Sequence, residues 1–378
     1  MSAVVPSPDA VVVGAGIVGA ACALELVRAG LRVVVLDGAE VGGGTTAAGM
    51  GHLVVMDDSE EQFALTAYSV RLWRELAPGL PPECEFDPCG TLWIAADAGQ
   101  LEAVRRKHEA YTARGVAAEV LDGAALAACE PGLRRPLAGA LLVPGDGVLY
   151  PPAAARYLLA EACRAGAVFR GGSPVEAIRP GAVVVAGETL PAGAVVNAAG
   201  AAAPSLAPGL PIVPRKGHLA ITDRYPGSCR HQIVELGYLQ SAHEMTAESV
   251  AFNVQPRKTG QVLIGSSREL VGWDPATNRA VLGRMLQRAV SFMPALASAS
   301  VIRVWTGFRP ATPDKLPLIG RWEETEGVWV AAGHEGLGIT TSLGTARILA
   351  DLITGRPPAI DPAPYAPMRV LSAAEHGE

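Results

Sequence analysis

The chain has 378 residues and a formal net charge of −6 at pH 7. Its length predicts about two domains, and hydrophobic residues, at 49% of the chain, suffice for a sizeable core. The acidic balance offers no basic face, so we expect no nucleic-acid partner. No stretch approaches the ~20 consecutive apolar residues that cross a bilayer, so we expect no transmembrane segment.

The N-terminus and the cysteines indicate the cellular compartment. Met1 to Asp9 contains neither the basic region nor the apolar stretch of a secretion signal. The six cysteines are scattered, and the closest pair, Cys84 and Cys89, has neither zinc-site nor iron–sulfur spacing. We therefore expect free cysteines, no bound metal and a cytoplasmic location.

The first forty residues predict a nucleotide-binding βαβ unit. Val11 to Val13 is a short apolar run typical of a buried strand. It leads into a glycine-rich turn, a helical stretch from Ala20 to Ala29 and a second apolar run, Val33 to Leu36, closed by Asp37. The turn has the spacing of the dinucleotide fingerprint: Gly14, Ala15, Gly16, Ile17, Val18 and Gly19.

Each glycine of this turn has a mechanical role. Gly14 makes the tight turn, Gly16 lets the backbone approach a pyrophosphate, and Gly19 lets helix and strand pack closely. The helix N-terminus offers free N–H groups and a positive dipole end to phosphates. Asp37 is placed to bind a ribose hydroxyl. The unit by itself leaves FAD and NAD as alternatives.

The next segment predicts a ligand-facing loop and a capped helix. Gly42 to Gly51 is too glycine-rich for regular structure and is interpreted as a loop close to a ligand. Ser59 with Gln62 resembles a capping box that opens a helix running to about Leu76. Asp57 and Asp58 precede this cap; they favour the helix N-terminus electrostatically or, as the alternative, face the substrate.

Further elements follow in chain order. A proline-rich break at Pro78 to Pro82 indicates a domain crossing. Strands and helices alternate through the middle of the chain: strand Glu85 to Ala95, helix Ala98 to Arg114 with an exposed charged face, helix Pro151 to Ala165, and short strands around Val175, Val183 and Val195. A mostly strand-like region then predicts a second, antiparallel domain: Gly217 to Thr222, Gln232 to Leu236, Val250 to Val254, Val262 to Gly265, helix Arg279 to Met293 and strand Val301 to Trp305.

The chain then returns to the first domain. Val328 to Ala332 is a buried strand and Gly336 to Ile353 a helix, whereas the prolines beyond Gly355 predict a tail without regular structure. We expect a nucleotide-binding domain made of residues 1–82, 145–210 and 306–356. Residues 83–144 and 211–305 would form the substrate domain, and residues 357–378 the tail.

Three further motifs carry a family resemblance. They are Val195-Val-Asn-Ala-Ala-Gly200, Gly307-Phe-Arg-Pro-Ala-Thr-Pro-Asp314 with Pro317-Leu-Ile-Gly320, and Ala332-Gly-His-Glu-Gly-Leu-Gly338. With the N-terminal unit they resemble the amino-acid-oxidising flavoproteins, which include D-amino-acid oxidase, glycine oxidase and sarcosine oxidase. The resemblance covers almost the whole chain. The narrower resemblance is to the beta subunit of bacterial D-hydroxyproline dehydrogenase. It is carried by residues 235–238 and 249–257, with Asp57 and Asp58 upstream.

The resemblance implies an α/β fold with a Rossmann-like FAD-binding domain of the glutathione-reductase type. An antiparallel-sheet α+β substrate domain would be inserted into it. In the sarcosine-oxidase branch a cysteine of the C-terminal motif attaches the flavin, and no cysteine follows Cys229, so FAD should be non-covalent. Expected cofactor positions are Gly14, Ala15, Gly16, Ile17, Val18, Gly19, Asp37, Thr45, Thr46, Gly49, Gly51, Val175, Asn197, Gly200, Gly333, His334, Gly336, Leu337 and Gly338.

The turn Gly333 to Gly338 precedes a helix whose N-terminus, in a flavoenzyme, faces the pyrimidine edge of the flavin ring. His334 in this turn is expected to contact cofactor backbone rather than to act as a base. No second dinucleotide fingerprint is present in the sequence, so the organic substrate is expected to reduce the flavin directly.

Arg309 is the expected substrate anchor. In the resembling family the arginine of this motif binds the substrate carboxylate, and a planar guanidinium suits bidentate binding that survives burial. Relatives similar to glycine oxidase carry an active-site tyrosine where this chain has Asn253, and Tyr238 is expected to take over part of its role. Hydride transfer from the α-carbon to flavin N5 forms the imine without a dedicated base when the amine is neutral.

The sequence therefore predicts an FAD-dependent enzyme that oxidises a D-configured or secondary amino acid, foremost cis-4-hydroxy-D-proline, to its imine. The alternative is an oxidase of glycine, sarcosine or another N-substituted glycine that releases hydrogen peroxide. Electrons would pass to a partner subunit, a quinone or oxygen. A non-catalytic subunit that keeps FAD to fold or relay electrons is disfavoured by the Arg309 motif, and a tRNA-modifying flavoprotein by the net charge.

Overall fold

A computed structural model describes residues 7–236 and 248–370. The described helices are α1 Ile17–Arg28, α2 Thr45–Ala48, α3 Glu60–Leu76, α4 Ala98–Ala113, α5 Gly123–Cys129, α6 Pro151–Arg164, α7 Ala203–Leu206, α8 Arg279–Phe292 and α9 Gly338–Ile353. The strands up to the middle of the chain are β1 Ala10–Val13, β2 Val33–Leu36, β3 His52–Leu53, β4 Thr91–Ala95, β5 Glu119–Asp122, β6 Gly139–Val143, β7 Gly147–Val148, β8 Val168–Arg170, β9 Val175–Arg179, β10 Ala182–Val185, β11 Glu188–Pro191 and β12 Ala194–Asn197. The remaining strands are β13 Val213–Thr222, β14 Gln232–Glu235, β15 Glu248–Pro256, β16 Val262–Glu269, β17 Val301–Ala311, β18 Leu318–Arg321 and β19 Val328–Ala332.

The first of the two large sheets has six strands, in the order β18-β19-β12-β1-β2-β8. β1 lies between β12 and β2 and pairs with both in parallel, and every residue of β1 is buried. Such all-apolar strands are typical of a parallel sheet covered by helices on both faces. Helix α1 packs against α9 and α6 in the core that covers this sheet. The expected Rossmann-like α/β fold is confirmed.

An eight-stranded sheet follows the order β17-β13-β16-β15-β14-β4-β6-β5, and all its neighbours pair antiparallel except β14 with β4. Both faces are covered: Leu92 and Ile94 of β4 join the core under α8, whereas Trp93 and Ala95 join a core with α4. The expected antiparallel α+β unit is therefore present. β17 continues six residues past Trp305, so the expected domain limit at residue 306 falls inside a strand.

The strand expected from Glu85 to Ala95 begins only at Thr91. Three further expectations about local structure were wrong. The loop from Gly42 to Gly51 contains one helical turn, α2. The C-terminal segment contains a 3₁₀ turn, Ala363–Tyr365, and the hydroxyl of Tyr365, which is 1% exposed, donates to the carbonyl of Glu61 at 2.6 Å. Burial of one aromatic side chain thus holds a proline-rich stretch against the body of the protein.

The third correction concerns Asp57. Ser59 caps α3 as expected, its hydroxyl accepting from the Gln62 N–H at 3.1 Å. Asp57, however, pairs with Lys107 of α4 instead of the helix N-terminus. Lys107 is buried, so the polar face expected for α4 is interrupted, and its ammonium lies 4.4 Å from the ring centroid of Trp93. The aromatic ring and Asp57 offset part of the cost of burying this charge, and burial still lowers the pKa of Lys107.

Among the described residues, no helix has the length and apolar character needed to cross a bilayer. The same part of the chain contains no group of three or more histidine, cysteine or acidic side chains placed to hold a metal ion.

Candidate active site

A cavity of about 470 Å³ lies between the two sheets. Its walls are the β1–α1 turn, the segment around α2, the N-terminus of α9 and the strands β13, β15, β16 and β17. This volume is within the range of small-molecule and cofactor sites. The cavity joins the nucleotide-binding motif at one end to Arg309 at the other, so both halves of the fold contribute to a single site.

The glycines of the β1–α1 turn are required by close backbone packing. Gly14 has φ +106°, and a Cβ there would lie 2.6 Å from the carbonyl oxygen of Ala198. A Cβ at Gly19 would lie 1.9 Å from the carbonyl oxygen of Gly14. Neither contact tolerates a side chain, in agreement with the mechanical roles inferred from the sequence.

Beyond these two glycines the turn opens onto the cavity. Gly16, Ile17 and Val18 line it. The N–H of Ile17 donates to Thr46 Oγ1 at 3.1 Å, which fixes α2 against the start of α1. This bond was not foreseen from the sequence because the two residues are 29 positions apart.

Asp37 lies at the end of β2 and lines the cavity. Its Oδ2 accepts from the Ala15 N–H at 2.6 Å and its Oδ1 from the Ala39 N–H at 2.8 Å. The carboxylate thus ties the end of β2 to the glycine turn. Because each carboxylate oxygen accepts more than one hydrogen bond, the same group retains capacity for a ribose hydroxyl.

Two helix N-termini face the cavity. Gly16 precedes α1 and Leu337 precedes α9, and neither supplies a side-chain cap. Gly336, Gly338 and Ile339 at the start of α9 line the cavity. The first N–H groups of a helix have no partner within it, and the terminus carries a partial positive charge. One terminus suits a phosphate, and the other suits a ring that gains negative charge.

Two histidines that line the cavity, His52 and His334, are held neutral. Burial lowers the pKa of His334 to about 3 and the pKa of His52 to about 3. His334 Nε2 lies 3.0 Å from the hydroxyl of Thr345 on α9, whereas His52 Nε2 has no hydrogen-bond partner. Groups with such low pKa values are weak bases, in line with the expectation that His334 does not act as a base.

Arg309 is held at the other end of the cavity, on β17. Its Nη1 donates to the carbonyl of Ser267 at 2.9 Å. The guanidinium lies directly over Gly217 of β13, where a Cβ would come within 2.2 Å of Nη1. A Cβ at Gly336, before α9, would lie 3.5 Å from Nε. Two glycines therefore make room for one guanidinium on the cavity wall.

Several polar atoms on the cavity wall are buried without a protein partner. They are Asn253 Oδ1 on β15, Ser266 Oγ on β16 and His52 Nε2 on β3. Buried polar atoms are nearly always hydrogen-bonded, so these three atoms are suited to accept or donate hydrogen bonds to a polar ligand in the cavity. Ser266 had no sequence signal because a lone serine in a strand is unremarkable by pattern. Tyr238, the other residue expected here, lies outside the described residues.

The structure brings most of the expected positions together. The cavity is lined by Gly14, Gly16, Ile17, Val18, Asp37, Thr45, Thr46, Gly49, Gly51, Val175, Gly200, Asn253, Arg309, His334, Gly336 and Gly338. Five others are not among the lining residues: Ala15, Gly19, Asn197, Gly333 and Leu337. Of these, Asn197 shapes a neighbouring turn, since its amide donates to the carbonyl of Ala203 at 2.9 Å.

These features fit FAD. The glycine turn and the α1 terminus suit a pyrophosphate, Asp37 suits a ribose, and the α9 terminus with the unpartnered polar atoms of the cavity suits a flavin ring. No cysteine lines the cavity in the part of the chain that the structure describes.

Comparisons with known proteins agree with this site. A family model described as DAO, FAD dependent oxidoreductase, matches residues 9–352. Glycine oxidase of Pseudomonas aeruginosa is 30% identical, over 96% of this chain and 99% of that protein. A D-amino acid dehydrogenase of Xanthobacter autotrophicus is 32% identical, over 75% of this chain and 68% of that protein. The crystal structure of glycine oxidase from Geobacillus kaustophilus has a TM-score of 0.86 and 28% identity, covering 96% of this chain and 98% of that one. The chain therefore belongs to the DAO family of FAD dependent oxidoreductases.

Proposed function

We propose that this chain oxidises the bond between the α-carbon and the nitrogen of a D-configured or secondary amino acid, giving the imine. The observation that carries the proposal is the position of Arg309. Its guanidinium lies on the cavity wall over Gly217, beside the glycine that precedes α9. A guanidinium on the wall of a flavin site is suited to a carboxylate, which it binds bidentately and without losing its charge.

FAD, when bound, supplies the two-electron oxidant that accepts a hydride from the substrate α-carbon. The turn from Gly14 to Val18, with Asp37, would hold its nucleotide, and the N-terminus of α9 would face its ring. The task of the protein is then to bind the carboxylate, orient the α-carbon and exclude water. Arg309 performs the first two, and Asn253 and Ser266 offer hydrogen bonds to the ligand.

The protein offers no strong base at this site among the described residues that line the cavity. His52 and His334 have pKa values of about 3 because they are buried, and Glu335 carries a carboxylate with a lowered pKa. The substrate amine therefore has to react in its neutral form, which predicts activity that rises with pH as the amine of the bound substrate loses its proton.

Within this class, cis-4-hydroxy-D-proline is the substrate that the sequence favours. The support is the similarity of residues 235–238 and 249–257 to the D-hydroxyproline dehydrogenase branch, together with Asn253 in place of a tyrosine. Such an enzyme would pass its electrons to a partner subunit or a quinone.

The second candidate is an oxidase of glycine, sarcosine or another N-substituted glycine that reduces oxygen to hydrogen peroxide. It is supported by the similarity to proteins named glycine oxidase, at 30% identity over nearly the whole of both chains. The presence of Asn253, where relatives similar to glycine oxidase carry a tyrosine, speaks against glycine as the substrate.

The test is anaerobic mixing of the purified, FAD-loaded protein with a panel of substrates. The panel holds glycine, sarcosine, D-alanine, D-proline and cis-4-hydroxy-D-proline, with the L-enantiomers as controls. Rapid bleaching of the flavin absorbance by at least one D-configured or secondary amino acid is expected. A flavin that stays oxidised with every amine would overturn the proposal. Reoxidation by oxygen or by a quinone dye then distinguishes the two candidates.

A further inference from the structure

Glu335 places a carboxyl group on the cavity wall close to Arg309. Of the described residues that line the cavity, three carry carboxyl groups: Asp37, Glu40 and Glu335. The first two follow β2, at the nucleotide end, whereas Glu335 lies between β19 and α9. The next residue, Gly336, is the one at which a Cβ would lie 3.5 Å from Nε of Arg309. The substrate end of the cavity therefore has a carboxyl group and a guanidinium as near neighbours.

The backbone fixes Glu335 beside β17. Its φ is +48°, in the left-handed region that glycine adopts more easily than other residues do. Its N–H donates to the carbonyl of Pro310, the residue after Arg309, at 2.9 Å. A non-glycine residue keeps such a conformation where the surrounding structure imposes it, and such positions cluster at ligand sites. The geometry of the turn thus sets where the carboxyl group of Glu335 lies.

A buried arginine supports this carboxyl group. Arg215 on β13 is 2% exposed and is not among the residues that line the cavity. Its Nη1 donates to Oε1 of Glu335 at 3.2 Å. A carboxylate has about four acceptor sites on its two oxygens, so one hydrogen bond leaves capacity for a ligand. Glu335 therefore connects the protein interior, through Arg215, with the cavity.

Charged groups on three neighbouring strands keep Glu335 ionised. Burial raises its pKa, because the charged form loses hydration. The charges of three arginines and the hydrogen bond from one of them outweigh burial, so the pKa lies below its usual value: Arg215 on β13, Arg268 on β16 and Arg309 on β17. Lys315, after β17, lies within the field of Glu335, and the preceding residue, His334, is neutral. The cavity thus presents an anionic oxygen at neutral pH.

The amine is the substrate group that such an oxygen suits. In an α-amino acid the nitrogen and the carboxylate are attached to the same carbon atom, so a carboxylate bound by Arg309 brings the amine close to that guanidinium. An ammonium group is only a donor, and its hydrogen bonds to a carboxylate are stronger than those to neutral acceptors. Asn253 and Ser266 are neutral, whereas Glu335 carries the charge that complements an ammonium.

We propose that Glu335 binds the ammonium group of the substrate, so that an amino acid enters as its zwitterion and is held between Arg309 and Glu335. The inference rests on the proposed function for the role of Arg309. Glu335 does not take the proton: the bound ammonium releases it to water. The α-carbon of the neutral amine then gives a hydride to FAD, and the nitrogen lone pair forms the C=N bond.

The first test measures binding and does not depend on turnover. The FAD-loaded protein is titrated at neutral pH with isosteric pairs that cannot form an imine, 2-aminoisobutyrate against pivalate and glycine betaine against 3,3-dimethylbutyrate, following the flavin spectrum. In each pair a cationic nitrogen of the first compound replaces a carbon of the second. We expect the cationic member to bind at least about tenfold tighter. Equal affinities, tighter binding of the neutral member or no binding by either would overturn the inference and leave the proposed function standing.

The pH dependence of flavin reduction provides the second arm, with the amino acid of the panel that reduces the flavin fastest. A carboxylate beside the bound amine stabilises its protonated form and so raises its pKa. In Glu335→Gln the rate at saturating substrate should therefore rise with pH at a midpoint about one unit lower, while KM at neutral pH increases. A midpoint that does not move would contradict the inference, because a purely structural role of Glu335 would not shift it.

The same variant tests the pairs. Glu335→Gln keeps the size of the side chain and an acceptor for Arg215, and it should bring the two affinities of each pair close to equality. Glu85→Gln is the matched control, because Glu85 also has φ +48° and pairs with an arginine, Arg257, but does not line the cavity. An unchanged ratio in Glu335→Gln, or the same fall in both variants, refutes the inference.

Two other outcomes are distinguishable. If Glu335→Gln does not retain FAD, the titration of the wild-type protein with the isosteric pairs decides alone. A flavin that no amino acid of the panel reduces would defeat the proposed function instead, and the same titration would still decide whether the cavity binds an ammonium beside a carboxylate.

Discussion

The guanidinium of Arg309, on β17, lies over Gly217 of β13: it occupies the space of a side chain at residue 217, whose Cβ would lie 2.2 Å from Nη1. The position of the proposed substrate anchor is therefore set by an absent side chain as well as by the hydrogen bond to Ser267. The position of the Arg309 guanidinium and its positive charge can therefore be tested by separate substitutions.

Gly217→Ala should displace Arg309 without removing it. The added Cβ meets the far end of a flexible side chain, so the fold can adjust while the guanidinium moves. We expect KM for the oxidised amino acid to rise and FAD content to stay at one per chain. Wild-type kcat/KM in this variant would show that the position of the guanidinium over Gly217 has no part in substrate binding.

Arg309→Leu removes the charge itself. Loss of one partner of a buried charge pair costs about 2–5 kcal/mol in binding and positioning. We expect kcat/KM to fall by the factor that corresponds to this energy, while the flavin spectrum is retained. Anaerobic flavin reduction by substrate measures the change. Arg303→Leu serves as the control, because Arg303 lies on the same strand outside the cavity lining. Equal effects of the two substitutions would count against a carboxylate role for Arg309.

Gly19→Ala tests the nucleotide-binding turn. A Cβ at residue 19 would lie 1.9 Å from a backbone carbonyl oxygen, and backbone cannot move aside as a side chain can. We expect loss of FAD from the purified protein and a lowered melting temperature. Gly283→Ala in α8 is the matched control, since a Cβ there meets nothing within 4 Å and should stabilise the helix by about 0.5–1 kcal/mol. If Gly19→Ala keeps FAD as tightly as Gly283→Ala does, close packing at this turn is not required.

The sequence predicted well what is local. The strand Val328–Ala332 and the cap at Ser59 follow from patterns within a few residues, and both were predicted where they occur. The Gly14 turn was predicted for the same reason, because backbone geometry leaves only glycine at that position.

What the sequence did not provide depends on pairing between distant segments. The extension of β17 to Ala311 follows from its ladder with β13, which begins about ninety residues earlier and places Arg215 opposite Arg309. The pair of Asp57 with Lys107 joins residues 50 positions apart. Neither has a periodic signal in the sequence, and both belong to networks of buried charges that only tertiary contacts define.

Asp146 gives the last prediction, a pH dependence of stability. This residue is 1% exposed, and its Oδ1 accepts from the Val55 N–H at 3.2 Å. Burial raises the pKa of Asp146 from 3.8 to about 7, against the opposing effects of the nearby Thr91 hydroxyl, the Val55 N–H and the charge of Lys107. The folded protein therefore holds this proton more tightly than the unfolded chain does. The stability that Asp146 contributes is fully present below pH 3.8 and is lost as the pH rises to about 7, after which it stays constant.

Asp146→Asn removes this titration while keeping an acceptor for the Val55 N–H. The difference in the free energy of unfolding between variant and wild type should shift in favour of the variant by about 2–4 kcal/mol between pH 4 and pH 8, as an order of magnitude for a shift of this size. Chemical denaturation at several pH values measures it. Glu109→Gln, a substitution of an exposed carboxylate on α4, should follow the wild-type profile. If the free energy of unfolding depended on pH in the same way for Asp146→Asn and the wild type, Asp146 would have the same pKa in the folded and unfolded chains. That result would contradict the effect of burial on its pKa.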